Sequence, residues 1–535
     1  MITFLMVQII LAALACFLVY QTKSRKKTRL RFPPGPKPLP LVGNIMDRPP
    51  KGLPEFRYWL KHKYIHGSIS SVTTMGQTVV IIHDKNVARD LLEKNSTQCS
   101  GRPVMEFAIR LCGYGGFLGF QQPNESFRRS RKLVHQQLGT KSAVRQFHNI
   151  QEVEVRRFLL RVLDCPEAIL SHLKSEASAI ILKMTYGYSI QPTDSDPLVE
   201  MINRMMSNLS AATVPLAWLV DIFPGLNYIP DRFPGAAFKQ TARQWNKTLQ
   251  AVVDGPYLFV RRQMKTGNYR PSYVSKLVHE YCDGDTEKMR LSPEDELAIK
   301  WTAAQMYAGG ADTSVSTLKS FVLAMVMFPE VQRTAQEEID RVVGTDRLPG
   351  FEDRDNLPYI EGVVKEALRW SPVFPLCVPH AASESFVYNG YLIPKGAIIL
   401  PSIWWFLHDP KVYADPDTFN PKRYLDPCSE PDPRTEAFGY GRRVCPGRYL
   451  ADANIFLTIA QLLSAFNIRK AVDEQGMEKE YKLEVFPGLI SHLADFPYEI
   501  VLRSTEKAEL IRSIEVEHPW EENDAGLLDA MMDQF

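Results

Sequence analysis

None of the eight cysteines in this 535-residue chain belongs to a Cys-x-x-Cys pair. Cys16, Cys99, Cys112, Cys165, Cys282, Cys377, Cys428 and Cys445 are scattered singly. That spacing gives neither a disulfide framework nor a zinc site, and it suits a reducing compartment. Surplus charge is missing too. Lysine and arginine number 63 against 61 acidic residues, a formal net charge of +2, so no electrostatic footprint for nucleic acid is present. From about Gly43 to Arg503 the chain lacks a second linker, a low-complexity tract and any internal repeat. That continuity argues for one large domain able to enclose a cofactor. Its pattern is mainly α, as in Leu318–Val342 and Tyr359–Trp370, with small strand-like pieces such as Val79–Ile82 and Ala397–Leu400.

One apolar run is present, Ile2–Tyr20, broken only by Gln8. At about 1.5 Å per residue it nearly crosses a ~30 Å hydrocarbon core. No base precedes it, while Lys23, Arg25, Lys26, Lys27, Arg29 and Arg31 follow it. A cleaved signal peptide is the rival reading, since Ala13-Leu14-Ala15 looks like a cleavage site. The flanking charges favour a retained anchor with the body of the chain in the cytosol. Sequons at Asn95, Asn124, Asn208 and Asn246 would then never meet the glycosylation machinery. Pro33–Pro40 reads as a stiff extended linker, whether generic or a specific hinge. The expected organisation is a transmembrane anchor over 1–22, a basic and proline-rich hinge over 23–42, a catalytic domain over 43–503, and an acidic, loosely attached tail over 504–535.

The most informative stretch is Phe438-Gly439-Tyr440-Gly441-Arg442-Arg443-Val444-Cys445-Pro446-Gly447-Arg448. It sets one cysteine ahead of a helix-patterned run, where the macrodipole and free N–H groups favour thiolate. A thiolate so held is a good single ligand for haem iron. Gly441 and Gly447 allow tight turns and close approach to a flat cofactor, and Arg443 is spaced to pair with a carboxylate on its edge. A buried structural cysteine is the bland alternative.

Two further motifs stand out. Glu366 and Arg369 lie at i,i+3 on one helix face, which taken alone is an ordinary surface pair. Gly309 and Gly310 interrupt a helical stretch from about Glu296 to Val326 at a cost of about 1 kcal/mol each relative to alanine. Such a cost suits a helix that opens locally around a small ligand, with Asp312 and Thr313 following. A kinked core helix whose threonine bonds back to its own carbonyl is the alternative.

The cysteine stretch fits Phe-x-x-Gly-x-Arg-x-Cys-x-Gly at every fixed position and so resembles the signature of cytochrome P-450 haem-thiolate enzymes. The resemblance implies that fold, preceded by a single N-terminal transmembrane helix, with Cys445 as axial ligand of a haem b iron and Phe438, Gly441, Arg443 and Gly447 around it. It implies that Glu366, Arg369 and Arg423 form a buried brace beneath the haem, complete because an unpaired buried charge is costly. Ala308–Ser314 is similar to the oxygen-activation segment, with Thr313 holding water or dioxygen and Asp312 relaying protons. Glu125–Lys132 resembles the helix that clamps a haem propionate. The family's usual tryptophan is replaced there by Phe127, which has no N–H to donate, so Arg131 is the expected clamp. His380 occupies another propionate-contacting position. A surface basic cluster and a satisfied core histidine are the alternatives.

Segments including Pro50–Glu55, Phe158–Arg161, Arg232–Ala236 and Glu509–Ile514 look like the fungal O-methylsterigmatocystin oxidoreductase group of secondary-metabolite oxygenases. By resemblance the pocket is drawn from Val104–Phe120, Ala303–Tyr307, Val373–Val378 and Phe486–Ile490, an apolar set suited to a lipophilic substrate. Trp218–Pro224 is either a membrane-dipping entrance or core. The implied activity is monooxygenation with O2 and NADPH-derived electrons delivered by a flavoprotein reductase at the endoplasmic reticulum membrane. The rivals are a haem-thiolate rearranging enzyme that needs no reductase, and a non-catalytic binder of lipophilic ligands.

Overall fold

The strand-like runs of the sequence come together in one four-stranded sheet. A computed structural model of the chain describes residues 30–50, 52–191, 196–214, 217–282, 290–472 and 477–532. The expected anchor over 1–22 and the hinge up to residue 29 lie outside them. Two compact units result, one from the described residues of Met1–Pro103 with Pro379–Ser402, the other from those of Val104–Val378 with Ile403–Phe535.

In the first unit, helix α1 (Glu55–His66) precedes strands β1 (Ile69–Thr74) and β2 (Gln77–Ile82). These two pair antiparallel across a two-residue turn, Met75-Gly76, with positive φ at both residues, the turn geometry that matches strand twist. The remaining strands are β3 (His380–Ala381), β4 (Phe386–Tyr388), β5 (Tyr391–Ile393) and β6 (Ile398–Pro401). The sheet order is β1-β2-β6-β3, with β6 parallel to β2. Val80, Ile81 and Ile82 are fully buried, as an unbroken apolar run in a sheet interior must be. The described part of the proline hinge is docked rather than free. Ser71 donates from N to the Pro34 carbonyl (2.8 Å) and from Oγ to the Pro33 carbonyl (2.6 Å). Gly35 runs so close to β1 that a Cβ there would lie 1.9 Å from the Ser71 carbonyl oxygen.

The second unit is helical. Its long elements are α2 (Glu125–Leu138), α3 (His148–Asp164), α4 (Ile169–Tyr186), α5 (Pro197–Ala212), α6 (Ala237–Thr266), α7 (Tyr273–Tyr281), α8 (Pro293–Met327), α9 (Pro329–Val342), α10 (Pro358–Trp370) and α11 (Arg448–Ala465). Strands β7 (Phe466–Arg469) and β8 (Glu499–Leu502) pair antiparallel beside them. Helix α8 starts with a Ser292 cap accepting from the Asp295 N–H, proline at its first position, and three acids in its first turn. Each of these opposes the unsatisfied donors and positive dipole of a helix start. It stops where Pro329 begins α9, because a residue before proline is driven out of helical geometry. Two apolar cores share this helix. Ala298, Ile299, Ala303 and Tyr307 belong to one, and Leu318, Phe321, Val322 and Val326 to the other. Between them Gly309, Gly310, Asp312 and Thr313 are only half-buried.

The tail corrects an expectation. Its described residues form helices α12 (Thr505–Arg512) and α13 (Ala525–Met532) and are strapped to the body. Trp520 lies under the guanidinium groups of Arg157 (4.5 Å) and Arg161 (5.3 Å). Glu517 pairs with Arg156 (2.5 Å), Glu521 with Lys183 (2.5 Å) and Asp524 with Arg270 (2.6 Å). These three acids, which by composition suggest a solvated tail, each meet a cation from α3, α4 or the chain after α6.

Candidate active site

Cys445 is fixed by its own loop. Its N–H donates to the Phe438 carbonyl at 2.8 Å, closing the loop, while Gly439 and Gly441 take positive φ (73° and 50°) that other residues resist. Gly447 has ordinary φ (−88°), and a Cβ there would meet no atom within 4 Å. Protein packing therefore leaves open the space beside it. The Gly447 N–H reaches the Cys445 sulfur ahead of α11.

Burial pushes the Cys445 thiol up. The Gly447 N–H, Arg131 and Arg448 pull it back without overcoming burial. The helix start alone therefore does not yield the thiolate that the sequence suggests; a coordinated cation would reverse the balance. Arg131 on α2 donates to the Val444 carbonyl at 2.6 Å, and no carboxylate pairs with it among the described residues. Arg443 donates to the Gln121 carbonyl at 2.8 Å. Its guanidinium also lies 4.0 Å from the Phe127 ring centroid, so the phenylalanine that cannot donate a hydrogen bond serves as a face for the cation.

Glu366 accepts from five donors. Oε1 accepts from Arg369 Nη2 (2.8 Å), Asn420 N (2.9 Å) and Arg423 Nε (3.0 Å). Oε2 accepts from Arg369 Nε (2.8 Å) and the Tyr424 hydroxyl (3.0 Å). The Glu366 and Arg369 side chains are 0% exposed and Arg423 is 2% exposed, so this is a buried brace and not a surface pair. Arg423 reaches on to Glu430 at 2.7 Å.

Helix α8 runs unbroken through its two glycines. Gly310 is there for packing, since a Cβ would come within 2.5 Å of Ile181 on α4. Gly309 has only Gln305 near its missing Cβ, at 3.6 Å. The local opening expected from sequence is absent. Thr313 Oγ1 donates to the Gly309 carbonyl at 2.7 Å, leaving its lone pairs as acceptors. Asp312 Oδ2 lies 3.3 Å from His492 Nε2.

A family model described as Cytochrome P450 matches residues 33–489, the greater part of the chain, and takes in the cysteine loop, the Glu366 cluster and α8. The chain belongs to the cytochrome P450 family. It is 49% identical over 97% of its length, and 98% of the other chain, to cytochrome P450 monooxygenase CLM2 of Gibberella zeae. It is 48% identical to the multifunctional monooxygenase af510 of Aspergillus fumigatus, with 96% of each chain covered. It is 39% identical to O-methylsterigmatocystin oxidoreductase of Aspergillus flavus, again with 96% of each covered. As a cytochrome P450 it is an oxidoreductase of the monooxygenase kind, and the mainly helical fold with small sheets is the one the sequence implies. The family carries haem. The open space beside Gly447, the reachable Cys445 and the carboxylate-free Arg131 fit that group.

Of the pocket segments expected for this P450, the first and second meet. Gly119 N donates to Gln305 Oε1 (3.1 Å), and Phe117 packs edge-on to Trp301, two residues before the second segment (5.4 Å). Ser491, one residue past the fourth segment, donates from N to the Val373 carbonyl of the third (2.8 Å). The Trp218–Pro224 stretch divides. Trp218 stacks on Phe107, while Leu219 and Phe223 are 63% and 50% exposed. His380 sits in β3 of the other unit, buried, its Nδ1 2.9 Å from the Cys99 carbonyl oxygen. Sequence reasoning missed His492, Glu430 and the Phe127–Arg443 stack. Only Phe127 gave a signal, as a departure from the family pattern.

Proposed function

We propose that this cytochrome P450 is a membrane-anchored haem b monooxygenase of fungal secondary metabolism. It inserts one oxygen atom of O2 into a C–H bond or double bond of a lipophilic, polyketide- or terpenoid-like metabolite and reduces the other to water. Electrons come from NADPH through a membrane-bound flavoprotein reductase, with a single-pass anchor in the endoplasmic reticulum membrane and the catalytic domain in the cytosol. When bound, haem supplies the redox chemistry that activates dioxygen. Cys445 would hold its iron, with Phe438, Gly441 and Gly447 shaping the loop around that sulfur. Arg131 and Arg443 serve its carboxylates, and Glu366, Arg369 and Arg423 keep the loop in place. Leu219 and Phe223 face the lipid.

The observation that carries the reading is the Asp312–Thr313 pair on α8, an acid and an alcohol side by side. A rearranging enzyme or a silent binder has no use for that proton path. Thr313→Ala is expected to leave NADPH consumption running while product per NADPH falls by about tenfold and hydrogen peroxide rises. Thr313→Ser, which keeps the hydroxyl, should stay coupled. An unchanged ratio in Thr313→Ala rules out the proton role. No NADPH consumption by the wild type with a reductase would favour the rearranging enzyme.

Deleting residues 1–29 should release the protein from membranes with its reduced carbonyl spectrum intact, because the docked hinge from Arg31 onward remains. Turnover with a membrane-bound reductase should drop as co-anchoring is lost. Loss of the spectrum on truncation would make the segment part of the fold.

A further inference from the structure

The loop Phe486–Asp495 is fastened to α8 along one helix face. Ser316 Oγ donates to the Ser491 carbonyl at 2.7 Å. Lys319 Nζ donates to the Leu493 carbonyl (3.0 Å) and pairs with Asp495 (2.7 Å). Asp312, Ser316 and Lys319 are spaced i, i+4, i+7, so all three lie on that face. Leu493 turns inward, 3% exposed, and pairs across the hairpin with Val485. Strand alternation then sends the neighbouring His492 to the opposite side, where its Nε2 stands 3.3 Å from Asp312 Oδ2. The His492 side chain is 44% exposed and that of Asp312 22% exposed. Thr313, the next residue on α8, is half-buried.

We propose that His492 is the proton donor that recharges Asp312, the step that joins solvent to the Asp312–Thr313 pair. The inference rests on the monooxygenase reading and deepens it. Reducing O2 to water and an inserted oxygen atom consumes two protons per turnover, and a carboxylate that gives one away must be reprotonated. The imidazolium of His492 passes its Nε2 proton to Asp312 Oδ2, leaving neutral imidazole and neutral acid. Bulk water then returns a proton to the imidazole as the acid passes its own inward. Histidine suits this task because its charge changes near neutrality. Of the charged groups on the two elements, Asp312 and Lys319 on α8 and Glu484 and Asp495 in the hairpin, Asp312 is the one in contact with the imidazole, at 3.3 Å. Lys319 is already engaged by Asp495 and the Leu493 carbonyl, so Asp312 is the partner left to the imidazole. Ser316 and Lys319 fix the register that makes the pair, so His492 is placed by α8 rather than by chance exposure.

His492→Phe and His492→Gln test this, with intact carbonyl spectra as the check on folding. Product per NADPH is expected to fall about threefold or more, with peroxide rising. A second readout needs no turnover. In the diamagnetic carbonyl form, the His492 imidazole resonance, assigned by its loss in His492→Gln, should move in Asp312→Asn, because its Nε2 stands 3.3 Å from Asp312 Oδ2. An unmoved resonance, or coupled turnover in both His492 variants while Thr313→Ala is uncoupled, overturns the relay and leaves the monooxygenase reading standing. A wild type that consumes no NADPH or O2 overturns that reading instead.

Discussion

Cys445→Ser is expected to abolish the red-shifted Soret band of the reduced carbonyl complex completely. The wild-type sulfur already titrates uphill because burial opposes its charge, and only the Gly447 N–H, Arg131 and Arg448 oppose burial. A serine hydroxyl starts far higher than a thiol, so the same three groups cannot bring it to alkoxide near neutrality. Haem, if retained, should show no thiolate signature, and product formation should cease. Persistence of the band would mean that another sulfur had taken over. Cys377 is the first to examine, since its sulfur lies 3.8 Å from where a Cβ on Gly439 would stand. A Cys377→Ser, Cys445→Ser double variant that lost the band would identify it.

Glu366→Ala should yield little or no haem-loaded protein rather than a folded, slow enzyme. The carboxylate is the sole acidic partner of fully buried Arg369 among the described residues, while Arg423 keeps Glu430. Removal leaves one buried guanidinium with only the Leu407 and Thr418 carbonyls. The Tyr424 hydroxyl, which burial and the Glu366 charge hold firmly protonated, loses its acceptor as well. Stranding a buried charge costs about 3–5 kcal/mol, against a total stability of about 5–15 kcal/mol. Glu430→Ala should cost much less, because Arg423 retains Glu366. Thermal melting and haem content of the two variants side by side make the comparison. Equal stability of Glu366→Ala and wild type would show that the brace bears no strain on folding.

What the sequence disclosed and what it withheld divide along physical lines. The cysteine loop and the Glu366 brace were legible because their chemistry needs fixed residue types at short spacing. Thr313 and Asp312 were legible in position but not in state, since the threonine hydroxyl is turned back onto Gly309. The Gly-Gly cost was visible in the sequence, but its cause at Gly310 is Ile181, more than a hundred positions away. His492 gave no local signal at all. Its place over Asp312 depends on a hairpin register set by Ser316 and Lys319. The tail misled for the same reason, because composition counts acids and says nothing of the cations they meet.

That tail has a consequence for recombination among relatives. Glu517, Trp520, Glu521 and Asp524 are held by Arg156, Arg157, Lys183 and Arg270, residues that lie 250 or more positions upstream. A chimera joined at residue 503 would carry every haem-site motif intact and still separate the buckle from its strap. Exchanges between such enzymes therefore ought to treat the tail and the α3–α4 helices as one inherited block, even though the chain between them is what does the chemistry.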